Sequence, residues 1–367
     1  MRPLALTHIV LAAALATAPL LHAQDSTHKG KALRKANKKA ELNIDLKPAK
    51  VSQFWLSQTP FEMTLTINLK KIRNDKVNGP WEPATVTYVD SGTTITLPVR
   101  VRARGHSRLK ICTSFPPVWI NFDKADTKKQ IFDHLNKFKL VSPCKPQSAY
   151  ENYVVEEFNL YRLHALMTPV SHLARLIKMT VVDSASKNVE FTRYSFAVED
   201  ADELAARLAG KKFPVEGATA ADLDVRQTAV IGILQYMIGN TDFSIYALHN
   251  AELVQLKQGV FPVAYDFDQS GIINTPYAIP DPKVGIRSVT ERIYRGLCVS
   301  PDTINKVLAD LREKRPAINA LYADSLGMLI SDRGRKDSIK WFDDFYSDVS
   351  NPKTVKNEII DRCRDVR

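Results

Sequence analysis

The sequence predicts an α+β fold with an antiparallel β-rich N-terminal lobe and a mainly helical C-terminal lobe. Apolar and polar residues alternate from Phe61 to Lys71 and from Thr94 to Ala103, a period typical of half-buried strands. From Tyr150 to Leu166 and from Leu223 to Ile238 the apolar residues instead recur at helical spacing. Apolar residues make up 44% of the 367 residues, which is enough for a packed core.

The first 45 residues are predicted to lie outside the folded part. Arg2, the apolar run from Leu4 to Leu21 and Ala23 have the pattern of a cleaved signal peptide over residues 1–23. Residues 24–45 are predicted to be a basic, disordered leader, and His28 to Lys39 contribute much of the net charge of +11. This run is either a solvated leader or a contact for an anionic envelope surface or acidic partner.

These features predict an exported protein that is periplasmic, extracellular or attached to the cell surface. Pro19 near the end of the apolar run argues against a membrane span, so no transmembrane segment is expected in the mature chain. No aromatic residues interleave the basic run, and we therefore expect no nucleic-acid partner.

Export makes the four cysteines candidates for disulfide bonds, and four cysteines allow three pairings. We favour Cys112–Cys144, because only a predicted strand pair with a modest loop lies between these two residues. This choice leaves Cys298–Cys363. No Cys-x-x-Cys spacing occurs, so a zinc ribbon is not supported.

The stretch from Gly239 to Gly271 is organised around a predicted hairpin. Glu252 to Lys257 is predicted as a strand, Gln258-Gly259 as a tight turn and Val260 to Tyr265 as the returning strand. A helix precedes this stretch and is predicted to end at Gly239. Because a hairpin brings its two ends together, residues just before and just after it should share one small volume.

Four polar side chains flank the hairpin: Asp242 and Asn250 before it, and Asp266 and Asp268 after it. Protein kinases have the same order, in which the first Asp orients the acceptor hydroxyl and the later groups hold Mg²⁺ against the phosphates. We therefore predict Asp242 as a catalytic residue, and Asp266, Asp268 and Asn250 as metal ligands. The alternative is that these side chains cap backbone N–H groups at loop ends.

Further candidates lie in the N-terminal half. The loop Arg104-Gly105-His106-Ser107-Arg108 offers backbone N–H, hydroxyl and guanidinium donors to an anion, or it is an exposed hairpin tip.

Lys139 is predicted to pair with Glu157, or less favourably with Glu156, as the lysine that binds nucleotide phosphates does in kinases. Its alternative is a surface lysine over the sheet. Glu199, at a strand-to-helix junction, is predicted to lie at the hinge beneath adenine.

The motifs from Arg100 to Tyr277 resemble the spore-coat CotH-type kinases, a family of secreted atypical protein kinases. Asp242 matches the catalytic-loop Asp of that family, Asp266 its metal-binding Asp, and Arg104, Gly105 and Ser107 its Arg-Gly-x-Ser loop. Arg108 stands where the family has a second Ser. Asn250 lies eight residues after Asp242, instead of the usual five.

This resemblance implies a divergent two-lobed protein-kinase-like fold. The β-rich N-terminal lobe would cover residues 46–199 and include one αC-like helix, and the helical lobe with the catalytic hairpin would cover 200–367. The resemblance further implies the use of Mg²⁺ or Mn²⁺ with ATP, and phosphorylation of Ser in extracytoplasmic proteins.

The leading hypothesis is an exported, metal-dependent phosphotransferase that transfers phosphate from ATP to protein Ser hydroxyls. Lys139, positioned by Glu157, would neutralise the phosphates, Arg104 and Ser107 would cover them, and Asp242 would orient the acceptor. The alternative is a non-catalytic binding or scaffold module of the cell envelope. A third hypothesis is a metal-dependent hydrolase that uses His249 with the acids.

Overall fold

The computed structural model describes residues 46–74, 79–105, 107–112 and 114–366. The predicted signal peptide (1–23) and basic leader (24–45) lie outside these ranges, so both stay predictions.

The described residues form ten strands and ten α-helices, with short 3-10 and π-helical turns. The strands are β1 (Phe61–Ile67), β2 (Glu82–Asp90), β3 (Thr93–Ala103), β4 (Val118–Phe122), β5 (Lys137–Val141), β6 (Ala174–Asp183), β7 (Val189–Glu199), β8 (Lys211–Lys212), β9 (Ala251–Leu256) and β10 (Gly259–Ala264). The α-helices are α1 (Gln53–Leu56), α2 (Leu69–Asn74), α3 (Ser107–Ile111), α4 (Lys124–Thr127), α5 (Ser148–Met167), α6 (Ala201–Arg207), α7 (Val225–Ile238), α8 (Pro301–Ala320), α9 (Asp332–Ser350) and α10 (Pro352–Val355). Short 3-10 turns lie at Ala220–Asp222, Pro282–Val284 and Gly327–Leu329, and a π-helical turn at Lys356–Ile360.

Seven strands close into a barrel in the order β1-β2-β3-β4-β5-β7-β6. The closing pair, β1 with β6, is parallel, with Phe61 opposite Ile177, whereas the other neighbours are antiparallel. Alternate residues of each strand fill the interior, among them Leu65, Val101 and Phe138, as expected for a small barrel.

The predicted two-lobed kinase-like fold, with an antiparallel sheet as one lobe, is therefore wrong. The structure is a closed mixed barrel combined with helices. The alternating pattern of a strand indicates which face is buried but not which edges pair, and a closed barrel leaves no free edge. The predicted division into domains at Glu199 and Asp200 coincides with the junction of β7 and α6 and stays a prediction.

The predicted hairpin is confirmed as β9 and β10, which pair with Glu252 opposite Val263 and belong to a separate three-stranded sheet with β8. Helix α7, which precedes the hairpin, is buried along most of its length. It ends at Gly239, whose φ of 68° is left-handed. A Cβ there would lie 2.6 Å from the Trp341 ring, so glycine meets both the backbone and the space requirement.

The favoured disulfide Cys112–Cys144 is confirmed, and so is Cys298–Cys363, the pair that this choice leaves. Cys112–Cys144 joins the end of α3 to the loop after β5, and Cys298–Cys363 joins the segment before α8 to the C-terminal segment. Disulfides of this kind are typical of proteins from oxidising compartments. Across the described ranges, every helix is too short or too polar to cross a membrane.

Candidate functional site

Asp242 and Asn250, which both precede the hairpin, are in direct contact. The Asn250 amide donates to the backbone carbonyl of Asp242 at 2.8 Å and to its Oδ2 at 3.0 Å. The segment after the hairpin reaches the same carboxylate, because Gln269 Nε2 donates to Asp242 Oδ2 at 3.0 Å. The two ends of the hairpin therefore share one site. The amide nitrogen of Asn250, a predicted metal ligand, is used to hold Asp242.

Asp242 also contacts His249, whose Nε2 lies 2.8 Å from Asp242 Oδ1. This hydrogen bond to Asp242 is the main cause that raises the pKa of His249. Both residues line a cavity of about 320 Å³, together with Phe243, Gln269 and Arg295. Asp242 is thus a partly exposed carboxylate that is fixed in orientation at the wall of a cavity.

Asp266 is held in an unusual backbone conformation, with a φ of 61°. Its backbone N–H donates to the buried hydroxyl of Tyr161 on α5 at 3.0 Å. Its carboxylate is partly exposed and makes no hydrogen bond or ion pair with any residue that the structure describes. Non-glycine residues in the left-handed region are strained and cluster at ligand sites, so Asp266 is a candidate for contact with a bound group.

Asp268 belongs to a buried cluster with Arg108 and Glu157. Nε of the Arg108 guanidinium donates a hydrogen bond to Asp268 Oδ2 at 2.8 Å, and Nη2 lies 2.7 Å from the same oxygen. Its Nη2 also donates to Glu157 Oε2 at 3.0 Å. Burial raises the pKa of Glu157 to about 8 and that of Asp268 to about 6, although the charge of Arg108 opposes both shifts. Asp268, a predicted metal ligand, is therefore engaged by a guanidinium.

The predicted ion pair between Lys139 and Glu157 is not formed. The Lys139 ammonium, on a residue only 6% exposed, lies 3.2 Å from Glu252 Oε1 and 4.1 Å from the centre of the Tyr265 ring. Burial alone would raise the pKa of Glu252, but the charges of Lys139 and of His172 outweigh it and lower this pKa to about 2. Lys139 therefore faces the hairpin strand residue Glu252 and Tyr265, the residue that directly precedes Asp266.

The contact of Arg108 with Glu157 was missed by sequence reasoning. The available signal was the cationic residue at the position where the resembled family has a Ser, directly after the Arg-Gly-x-Ser loop. Glu156, the less favoured partner for Lys139, accepts a hydrogen bond from Asn152 at 2.8 Å instead.

Arg104 keeps an unpaired charge. Its guanidinium forms no ion pair within the described ranges, and its Nε is buried without a hydrogen-bond partner. Gly105 follows with a φ of 83°, which a residue with a side chain would rarely adopt. The side chain of Ser107 lies outside the described part, so its predicted contact with phosphate stays a prediction.

Glu199, the predicted hinge residue, is 2% exposed at the end of β7. Its carboxylate accepts hydrogen bonds from Arg207 at 2.9 and 3.0 Å and from the backbone N–H of Leu173 at 3.0 Å. These contacts tie β7 to α6 and to the segment before β6. The carboxylate of Glu199 is therefore not free to contact a nucleotide.

The donor groups fit a metal ion shared with phosphates better than an ion caged by the protein. In the described part of the chain, no group of three or more His, Cys, Asp or Glu is arranged to hold a metal. Asp242 and Asp268 are engaged by donors, and Asp266 keeps its carboxylate oxygens unpaired. Mg²⁺ is commonly bound through one or two carboxylates, waters and the phosphates of a substrate, which matches this set.

Comparisons with known proteins identify no family for this chain. No family model matches the chain, and no curated protein matches it either. One solved structure, the crystal structure of the Helicobacter pylori proinflammatory kinase CtkA, aligns with a TM-score of 0.33 and 8% identity. The alignment covers 80% of this chain and 98% of that chain. A similarity this weak does not establish a shared fold, and no comparison supports the spore-coat kinases specifically.

Proposed function

We propose that this protein is an exported, metal-dependent phosphotransferase that transfers phosphate from ATP to Ser hydroxyls of proteins. One observation carries the proposal. Asp266 and Arg104 each keep a charge unpaired within the described residues, and both lie close enough to Tyr265 and Tyr161 to affect the pKa of those hydroxyls. An unpaired carboxylate near an unpaired guanidinium suits a metal ion and a phosphate chain, respectively.

Each residue would have a separate task. Arg104, whose charge is unpaired within the described residues, would offer positive charge to the phosphates, and Lys139, whose ammonium lies 3.2 Å from Glu252, would add to the positive potential there. Asp242, fixed at the cavity wall by His249, Asn250 and Gln269, would orient the acceptor hydroxyl. Such positioning and charge neutralisation account for most of the catalysis in phosphoryl transfer.

Asp266 would hold Mg²⁺ or Mn²⁺ together with the nucleotide phosphates. When bound, such an ion neutralises the negative charge that develops on the transferred group. The choice of ATP and of protein Ser as acceptor rests on the Arg-Gly-x-Ser and Asp-containing motifs that resemble the CotH-type kinases.

The test is incubation of the purified protein with γ-labelled ATP and Mg²⁺ or Mn²⁺, with Ser-rich and basic proteins as acceptors. Wild type should transfer label, and Asp242→Ala and Asp266→Ala should each abolish the transfer. Asp302→Ala is the matched control, because Asp302 pairs with Lys306 on the exposed surface of α8. Failure of the wild-type protein to label itself or any acceptor would overturn the proposal.

A non-catalytic binding module of the cell envelope is the second candidate. It is favoured by the internal contacts of Glu199 and Asp268, which leave both carboxylates engaged instead of open to a ligand. This function predicts that Asp266→Ala protein attaches to cell envelopes as well as wild type does. An Asp266→Ala protein that loses attachment would contradict it.

A further inference from the structure

An indole ring on the outside of the barrel lies among three cations. Trp119 lies opposite Lys139 in the β4–β5 register, between the buried residues Val118 and Ile120, and is itself partly exposed. The centre of its ring is 6.0 Å from the Arg104 guanidinium, 5.2 Å from the Lys137 ammonium and 5.7 Å from the Lys139 ammonium.

The charges around this ring do not cancel. Lys137 lies 3.5 Å from the Asp200 carboxylate, and Lys139 lies 3.2 Å from that of Glu252. Arg104, by contrast, has no acidic partner in the described part of the chain, and its buried Nε lacks an acceptor. A partly exposed π surface beside an unpaired cation suits a ligand that is both aromatic and anionic, as a nucleotide is.

The position of the ring agrees with the rest of the candidate site. The Lys139 ammonium lies between Trp119, at 5.7 Å, and the Tyr265 ring, at 4.1 Å, and Asp266 follows Tyr265. A base on Trp119 would therefore direct its phosphates past Lys139 towards Asp266. Glu199, the residue predicted for the adenine side, has its carboxylate engaged, so base recognition requires another surface.

We propose that Trp119 is the platform on which the base of the donor nucleotide stacks, and that Arg104 binds the phosphates of the same molecule. The inference rests on the proposed function, because it takes the ligand to be a nucleotide. It concerns binding alone, however, and holds whether or not phosphate is transferred.

The experiment compares ATP with inorganic triphosphate, which carries the charge without the base. Both are titrated into the full chain, and binding is followed by calorimetry and by quenching of tryptophan fluorescence. Trp119→Ala should weaken ATP binding about 5-fold to 150-fold, the range that loss of one aromatic stack gives, and leave triphosphate binding unchanged. Trp119→Phe should retain most of the affinity for ATP, and Arg104→Gln should weaken both ligands.

Trp81→Ala is the control for the loss of an indole beside a single arginine. Trp81 lies 4.5 Å from Arg102, whose Nε is likewise buried without a partner, but the described cations against its ring do not include Lys137 or Lys139, so this variant should change neither affinity. Unchanged ATP binding by Trp119→Ala would overturn the inference, and so would an equal loss of ATP and triphosphate. If the wild-type protein binds ATP through Trp119 but transfers no phosphate, the proposed function is refuted, and the role of Trp119 in nucleotide binding is not. A wild-type protein that binds neither ligand would overturn both.

Discussion

The guanidinium of Arg108 contacts two buried carboxylates, and its removal tests whether the observed cluster is a structural element of the fold. Arg108→Met keeps a long apolar side chain but leaves Glu157 and Asp268 without their cation. The Arg108 side chain is 9% exposed, that of Glu157 1% and that of Asp268 9%, so little water can replace it.

The expected loss of stability follows from this burial. Breaking a buried ion pair by removing one partner costs about 3–5 kcal/mol, because a charge remains without compensation. The two carboxylates of this cluster can lower that cost by binding protons, since burial already raises their pKa values. We therefore expect Arg108→Met to lower the free energy of unfolding by about 3 kcal/mol, the lower end of that range.

The assay is unfolding in urea at neutral pH, followed by circular dichroism. The matched control is Arg226→Met, which removes an Arg–Asp contact of 2.6 Å between exposed side chains of α7 and α8. Such an exposed pair is worth about 0–1 kcal/mol. If the two variants lose the same stability, the buried cluster contributes no more than a surface pair, and the reasoning from burial is refuted.

Three further predictions concern the core and its covalent links. His164 is fully buried and burial lowers its pKa to about 3, so the unfolded chain binds the proton first and stability is lost as the pH falls below about 6.5. Relative to His164→Leu, wild type should lose about 2 kcal/mol of unfolding free energy between pH 7 and pH 5, measured by urea titration, and equal pH dependence would contradict this. Replacing Cys298 and Cys363 by Ser opens a loop of 65 residues and should lower the unfolding free energy by about 4 kcal/mol, whereas an unchanged melting temperature would count against this link. Gly239→Ala should lower the free energy of unfolding by more than about 1 kcal/mol, because the new Cβ would approach Trp341 and the backbone has a positive φ. Gly92 also has a positive φ but open space around it, so the thermal unfolding of Gly92→Ala measures the cost of the backbone conformation without the steric clash.

Local signals in the sequence predicted the elements that depend on neighbouring residues. The hairpin of β9 and β10 follows from two apolar runs around Gln258-Gly259, and the end of α7 follows from a glycine after a helical pattern. These features are decided by backbone preferences within a few residues. They therefore required no knowledge of the tertiary structure.

The features that the sequence did not predict depend on residues far apart in the chain. Closure of the barrel pairs Phe61 with Ile177, and the alternating patterns of β1 and β6 suit any partner edge equally well. Glu157 could accept Lys139 or Arg108 by charge alone. The choice was made by the position of α3, which brings Arg108 to carboxylates 49 and 160 residues away in sequence.

The same long-range contacts explain why Asp266 differs from Asp268, although only Phe267 separates them. Arg108 fixes the side chain of Asp268, and the Tyr161 hydroxyl accepts the backbone N–H of Asp266, so the chain is held on both sides of the strained residue. The cost of that left-handed backbone is met by contacts that do not involve the Asp266 carboxylate. A charged group that its neighbours hold in place but leave unpaired within the described residues suits a partner from outside the chain. Under the proposed function, Arg108 and Tyr161 would touch no ligand themselves but should affect the proposed binding of metal and nucleotide through the position of Asp266.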